Sequence, residues 1–161
     1  MLFGRKTYDS FAGAWPDREA AGGEDAPFAK ALGDARKIVV SNQQLEFTWR
    51  NSEQLQGDLV EAVTVLKNRP GDGTIGMSGS VSVVRQLLAA GLLDELRLLV
   101  HPIAVRKGMR LFDEGEAPIP LTLRSSEAFS TGVLNLVYEP AEATADATYE
   151  DAKAHLSEPG Q

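Results

Sequence analysis

The sequence predicts an α/β fold: a mostly parallel central sheet, helices on both faces, and an antiparallel strand pair at the C-terminal end. Three observations predict it. Short β-branched or leucine-rich runs alternate with segments whose apolar residues recur at helical spacing. Gly, Pro, Ser and Asn punctuate the junctions between them. Two further strand-like runs close the patterned part of the chain. Strands that alternate with helices pair in parallel and are covered on both faces.

The elements follow in order. Met1-Leu2-Phe3 is an apolar strand that runs into Gly4-Arg5-Lys6-Thr7. Tyr8, Phe11, Ala12 and Trp15 then mark a helix, expected to end at Trp15 because Pro16 disfavours helix in the residue before it. Asp17 to Pro27 is acidic and Gly/Ala-rich, which reads as a mobile loop. Phe28 to Ala35 reads as a short helix, and Lys37-Ile38-Val39-Val40-Ser41 as a buried strand. Leu45, Phe47 and Trp49 alternate with polar residues, the pattern of a half-buried strand. Asp58 is a good N-cap for a helix bearing Leu59, Val60, Val63 and Leu66. Arg69-Pro70-Gly71 ends it.

Thr74 to Met77 is a short strand candidate, followed by Ser78-Gly79-Ser80 and a helix carrying Val81, Val84, Leu87 and Leu88. Gly91 is a natural helix stop. Glu95 to Ile103 reads as a long strand. Pro120 to Phe129 and Val133 to Tyr138 read as the terminal pair. From Ala141 to Gln161 large apolar residues are few. That segment reads as a loosely ordered acidic tail, with a short amphipathic helix around Tyr149 to Leu156. The folded domain is therefore expected over residues 1–140.

The net charge of -7 argues against a general nucleic-acid or membrane-surface binder, though not against a local basic pocket. The chain has no cysteine, so disulfides and thiolate metal sites are excluded. Two histidines, His101 and His155, do not make a His-rich metal site. No apolar run is long enough to span a bilayer and no signal peptide opens the chain, so a cytoplasmic location is expected.

Two strand-to-helix turns carry the candidate chemistry. At the first, a helix N-terminus offers free N–H groups and partial positive charge, and Arg5 and Lys6 add cations. Taken alone, Gly4 to Thr7 also fits an ordinary basic turn. The second is Ser78-Gly79-Ser80, where Gly79 permits close backbone approach and Ser80 can cap the helix or donate to an oxygen. Two such turns leaving one sheet suit an extended phosphorylated ligand, and Ser41-Asn42 is a third polar strand end that can lie beside them. Neither turn is a GxGxxG fingerprint or a P-loop.

The stretches LFGRKTYDSFAGAWP (2–16), KIVVSN (37–42), SGSVSVVRQLLAAGLLDELRLLVHPIAV (78–105), RLF (110–112) and GVLNLVYEP (132–140) resemble the dihydrofolate-reductase-like superfamily. Within it they are most similar to the C-terminal reductase domain of bacterial bifunctional deaminase-reductases of riboflavin synthesis. The resemblance implies a three-layer α/β/α fold and an NADPH-dependent reductase of a small heterocyclic or carbonyl substrate. The model activity is that of 5-amino-6-(5-phosphoribosylamino)uracil reductase. The resemblance places Gly4, Arg5, Lys6 and Thr7 at the cofactor phosphates. It places Ser41 and Asn42 near the adenosine 2′-phosphate, and Ser78, Gly79, Ser80 and Val81 at the pyrophosphate and nicotinamide side. It further implies a homodimer. It names no catalytic residue in this chain, and His101, next to Pro102, is expected to be structural. The carboxylates of Leu93-Asp94-Glu95-Leu96 are likewise expected to cap or bridge.

The chain also departs from the family. Val81 stands where a small residue is usual, which narrows the ligand space. Ala104 to Met109 carries one glycine, Gly108, where the family has a glycine-rich turn. Family members carry about fifty residues before the element matching Leu2-Phe3-Gly4, including an interior strand whose neighbours would otherwise be left unpaired. Met1 is therefore expected to be an internal methionine of a longer natural protein, so that the domain is N-terminally truncated; the rival expectation is a short variant that repairs its sheet by oligomerising or rearranging. The alternative to an active reductase is a non-catalytic domain that keeps only fold and dimerisation.

Overall fold

The computed structural model describes residues 1–71, 73–112 and 119–141. They belong to two compact units: Met1–Leu92 with Met109–Phe112, and Leu93–Gly108 with the chain from Asp113 onward.

The first unit holds a parallel sheet of β1 (Leu2–Gly4), β2 (Lys37–Val40) and β3 (Ser52–Gln54), in the order β1-β2-β3. Gly4 pairs with Val40, and Lys37 with Ser52. Beyond β1, Leu2 forms an isolated parallel bridge with Met77. The strand expected over Thr74 to Met77 is reduced to that contact.

Five helices flank the sheet: α1 (Arg5–Ala12), α2 (Trp15–Ala21), α3 (Ala26–Asp34), α4 (Leu59–Lys67) and α5 (Val81–Ala89). Successive strand side chains point to opposite faces, and the core divides accordingly. Leu2 and Ile38 pack with Leu59 and Val63 of α4 and with Val83 and Leu87 of α5. Phe3 and Val39 pack on the other face with Tyr8 of α1, Leu32 of α3 and Trp49. Each such fully buried side chain contributes about 1.5–3 kcal/mol. Leu2, Phe3 and Val39 are fully buried, which fixes the short β1 and β2 firmly.

Three expectations are corrected in this unit. The first helix ends at Ala12, and Pro16 sits in the first turn of a second helix, α2, rather than only stopping the first. Proline suits that position because its missing N–H has no intrahelical partner there anyway. The segment read as a mobile loop, Asp17 to Pro27, therefore contains most of α2. Arg18 lies over the Trp15 ring and pairs with Asp25 at 3.2 Å, and Arg50 grips Glu19 through two bonds of 2.7 and 2.9 Å. Finally, Leu45, Phe47 and Trp49 turn inward as the alternation predicts, but no ladder forms there. β3 occupies the neighbouring register instead, and the Leu45 N–H donates to Gln54 Oε1 at 3.1 Å.

Lys37 is fully buried, an unusual place for an ammonium. Its Nζ donates to Leu32 O, Gly33 O and Ala35 O at 2.8, 2.9 and 2.7 Å, closing the C-terminal end of α3. It also sits 4.3 Å from the centroid of the Trp49 ring. Burial, and then the Arg50 guanidinium, push this ammonium below the ordinary lysine value. Arg50 itself is held by Glu19 and Asp34, whose carboxyls drop below their usual range because they accept its bonds, and for Asp34 those of Lys30 first.

The second unit holds β4 (Leu96–Val100), β5 (Leu121–Ala128) and β6 (Leu134–Pro140) in the order β4-β6-β5, both pairings antiparallel. The expected terminal pair is β5 and β6, turning through Gly132 at φ 81°. β4 joins it along the other edge of β6. β4 stops at Val100, short of the expected Ile103, since Pro102 cannot donate to a ladder. His101 is exposed beyond the strand end, and Glu95 pairs with Arg97. Arg106 adopts a left-handed φ of 64°, in the turn where the resembling family is glycine-rich. Beyond Ala141 the expected acidic tail and its short helix lie outside the described residues. No helix among the described residues is long and apolar enough to cross a membrane.

Candidate functional site

Parallel pairing brings the carboxyl ends of the strands to one edge, and the loops that leave them meet there. β1 passes into α1 at Gly4 without an intervening loop. The Gly4 N–H donates to Ser80 Oγ at 2.6 Å. A Cβ on Gly4 would lie 2.7 Å from that oxygen and 3.0 Å from Ser80 Cβ, so this approach requires glycine. The Ser80 hydroxyl in turn donates to Thr7 Oγ1 at 2.9 Å. A short hydrogen-bond chain thus ties the two candidate turns together.

The second turn reaches this position through two consecutive left-handed residues, Gly79 at φ 76° and Ser80 at φ 68°. Glycine adopts that conformation freely, whereas serine does so at a cost. A Cβ on Gly79 would come within 3.5 Å of Thr7 Oγ1, which is ordinary contact, so φ rather than space selects glycine there. Ser80 was expected to cap α5 or donate to an oxygen. It makes no side-chain cap; its carbonyl takes the Val83 and Val84 N–H groups while its hydroxyl is spent on Gly4 and Thr7.

Both helices that start at this edge consequently lack a side-chain cap, and neither carries an acidic residue in its first turn. Their amino ends keep the donor groups and partial positive charge that favour an anion. By contrast, Asp58 caps α4, accepting from the Val60 and Glu61 N–H groups at 2.8 and 3.1 Å.

Arg5 and Lys6 are exposed beside the cradle. Arg5 Nη1 donates to Gln43 Oε1 at 2.7 Å, and its Nε stands 4.0 Å from Asp9. Ser41 shapes the third strand end, its Oγ accepting the Gln43 N–H at 3.0 Å. Gln54 Nε2 braces the same turn, donating to Ser41 O at 3.2 Å and Gln43 O at 2.9 Å. Asn42 and Ser78 are exposed, and Val81 is the half-buried first residue of α5. Gly4, Thr7, Gly79 and Ser80 are thus in direct contact, and Arg5 and Ser41 join them through Gln43. Gln43 and Gln54 were not anticipated from sequence. Their polar character at strand ends was the only signal, and it is a common one.

A cleft of about 410 Å³ lies elsewhere, lined by Arg36, Ile38, Leu55, Asp58, Ala62 and Val65 among others. It is the less suitable anion site. Asp58 closes the helix terminus beside it, and Glu53 holds Arg36.

Comparison with known proteins agrees with this architecture. The RibD C-terminal domain family matches residues 12–135. The uncharacterized protein YyaP of Bacillus subtilis (strain 168) is 30% identical over 138 residues, covering 86% of this chain and 72% of the relative. Among solved structures, a protein assigned to riboflavin biosynthesis from Shewanella sp. PV-4 superposes with a TM-score of 0.65 at 22% identity. That match covers 88% of this chain and 73% of that one. A pyrimidine reductase-like protein from Corynebacterium diphtheriae gives 0.54 at 16% identity, covering 88% and 75%. At these identities the two structures speak for the fold.

Proposed function

This chain belongs to the RibD C-terminal domain family, and we propose that it is an NADPH-dependent reductase of a small heterocyclic or carbonyl compound. The model substrate is the ribosylamino-pyrimidine reduced by 5-amino-6-(5-phosphoribosylamino)uracil reductase. One observation carries the reading: two uncapped helix N-termini, stitched side by side at the carboxyl edge of a parallel sheet, with cations flanking them.

The residues present fit a phosphorylated dinucleotide. The open amides at the amino ends of α1 and α5 would receive the pyrophosphate, the Val83 N–H being held by Ser80 O. Gly79 is exposed and leaves the backbone of its turn open to close approach. Thr7 Oγ1 accepts from Ser80, so its own proton remains for a phosphate oxygen. Arg5 and Lys6 supply charge, and Ser41 and Asn42 stand where the adenosine end would fall. When bound, the cofactor supplies the hydride; the protein orients it and excludes water.

The proposal extends to assembly and place. The second unit exposes Leu99, Ile103 and Val105, at 59%, 71% and 63%. That supports a homodimer, to be checked by sedimentation equilibrium. A cytoplasmic location is where the pyrimidine substrate and NADPH would be met.

The deciding experiment mixes the purified chain with NADPH and the ribosylamino-pyrimidine and follows loss of NADPH absorbance together with the reduced sugar product. Turnover above the uncatalysed rate is the expected result. Tight NADPH binding without turnover of any pyrimidine or carbonyl substrate tested would overturn the reductase assignment and favour a non-catalytic binding domain.

A further inference from the structure

Ser80 stands at the junction of the cradle, yet its hydroxyl faces the protein. It accepts from Gly4 N–H at 2.6 Å and gives its proton to Thr7 Oγ1 at 2.9 Å. An amide N–H can only donate, so Gly4 fixes the Ser80 oxygen as an acceptor. The one proton of that hydroxyl is still there to give, and it goes to Thr7 Oγ1. Thr7 Oγ1, already accepting, has its own proton left to give. The chain runs in one direction, from backbone amide through two hydroxyls toward the open end of the cradle.

We propose that Ser80 is a positioning residue that acts through Thr7, holding the Thr7 hydroxyl as an outward proton donor for a phosphate oxygen. The inference rests on the cofactor-cradle reading and deepens it: the Ser80 hydroxyl would not itself touch the ligand. Three observations support it. Ser80 holds a left-handed φ of 68°, a conformation that serine occupies at a cost when glycine would be free of it. That conformation withholds the side chain from α5, whose first turn has no side-chain cap. Gly4 has no room for a Cβ because Ser80 Oγ fills the space. Backbone strain, a forgone cap and an obligatory glycine all serve one hydroxyl position. Hydrogen bonds linked in sequence also polarise one another, which strengthens the last donor.

The test compares the full chain with Ser80→Gly, Thr7→Val and the double variant. Glycine relieves the left-handed strain, so Ser80→Gly is expected to fold and to melt close to the wild type. Two readouts are taken. The first is amide hydrogen exchange without ligand, in which Gly4 is expected to exchange faster in Ser80→Gly while β2 is unchanged. The second is the NADPH dissociation constant. A lost hydrogen bond to a charged group is expected to weaken binding about tenfold in each single variant. The double variant is expected to lose little more than either one, because both act through the same donor.

A purely structural Ser80 would give additive losses, or a fall in melting temperature with unchanged affinity; either result overturns the proposal. Unchanged affinity in Ser80→Gly, beside a wild type that binds, overturns it alone and leaves the reductase reading standing. A wild type that fails to bind NADPH overturns both. Should Ser80→Gly not fold, Ser80→Ala carries the same comparison, since it keeps the native strain and removes only the hydroxyl.

Discussion

Replacing Lys37 with methionine tests how the core tolerates a buried cation. Methionine keeps most of the side-chain volume and removes the ammonium. Three carbonyls then lose a donor: Leu32 O, Gly33 O and Ala35 O. They do not suffer equally. Gly33 O keeps a bond from Asn51 Nδ2 at 3.3 Å, and the Ala35 bond is only partly buried, so water can replace it. Leu32 O is left buried and unpaired. An unsatisfied buried acceptor costs about 1–3 kcal/mol, and a net bond to a charged group is worth about 1.5–3 kcal/mol. Removing the charge returns part of its desolvation cost. The balance is a loss of about 3 kcal/mol, a large share of the roughly 5–15 kcal/mol that holds a domain together. With a urea slope of about 2 kcal/mol per molar, the midpoint would fall by about 1.5 M at unchanged slope. A loss under about 1 kcal/mol would refute the reasoning, because the ammonium would then only break even against an apolar side chain. The pH dependence adds a sign. Since burial depresses the folded-state value below the ordinary 10.5, the unfolded chain binds more protons in the window between the two. The advantage of wild type over Lys37→Met should therefore grow as pH rises through that window toward 10.5. A shrinking advantage would mean that the three carbonyls favour the charged form more than burial opposes it.

Three further outcomes are expected. Gly4→Ala drives a Cβ into Ser80 Oγ and Ser80 Cβ, so it should destabilise by about 1–3 kcal/mol and abolish the link between the two turns, as thermal melting and Gly4-region amide exchange would report. Glu19 and Asp34 lie below their ordinary values of 4.5 and 3.8, so the stability they confer is present above those values and is lost as pH falls through the depressed ones. Arg50→Met should flatten that acid-side loss in a pH series of urea melts. Asp58→Ala removes the cap on α4 and should cost about 1 kcal/mol, read from the urea midpoint, without changing NADPH affinity.

Much of the first unit was legible in the sequence because its signals are local. Asp58 before Leu59, Val60 and Val63 announces a capped helix, and the structure puts the cap bonds where that spacing requires. The β-branched run Ile38 to Val40 announces a buried strand. Gly4 to Thr7 and Ser78 to Ser80 were legible as turns, and parallel pairing then brought them to one edge. The misses are long-range. α2 stayed hidden because Pro16 marks a helix start as readily as a stop, and because its fastening, Arg50 on Glu19, spans 31 residues. Leu45 to Trp49 show inward alternation without a ladder, since burial alone sets the alternation and a side chain, Gln54, meets the backbone need. Of the two roles the sequence offers Ser80, capping the helix or donating to an oxygen, the structure shows the second. The left-handed φ of Ser80, invisible in sequence, redirects the hydroxyl to a partner 73 residues away. Lys37 gave no sign that its ammonium would turn back onto α3.

The most direct test of the cofactor cradle is a thermal-shift titration of the purified chain with NADPH and, in parallel, NADH. Stabilisation follows the ratio of ligand to dissociation constant, about 2.7 kcal/mol at a hundredfold excess. The account predicts a rising melting temperature with NADPH and a much smaller response to NADH, with the NADPH response reduced in Thr7→Val. A cooperative melt unmoved by either nucleotide would contradict it.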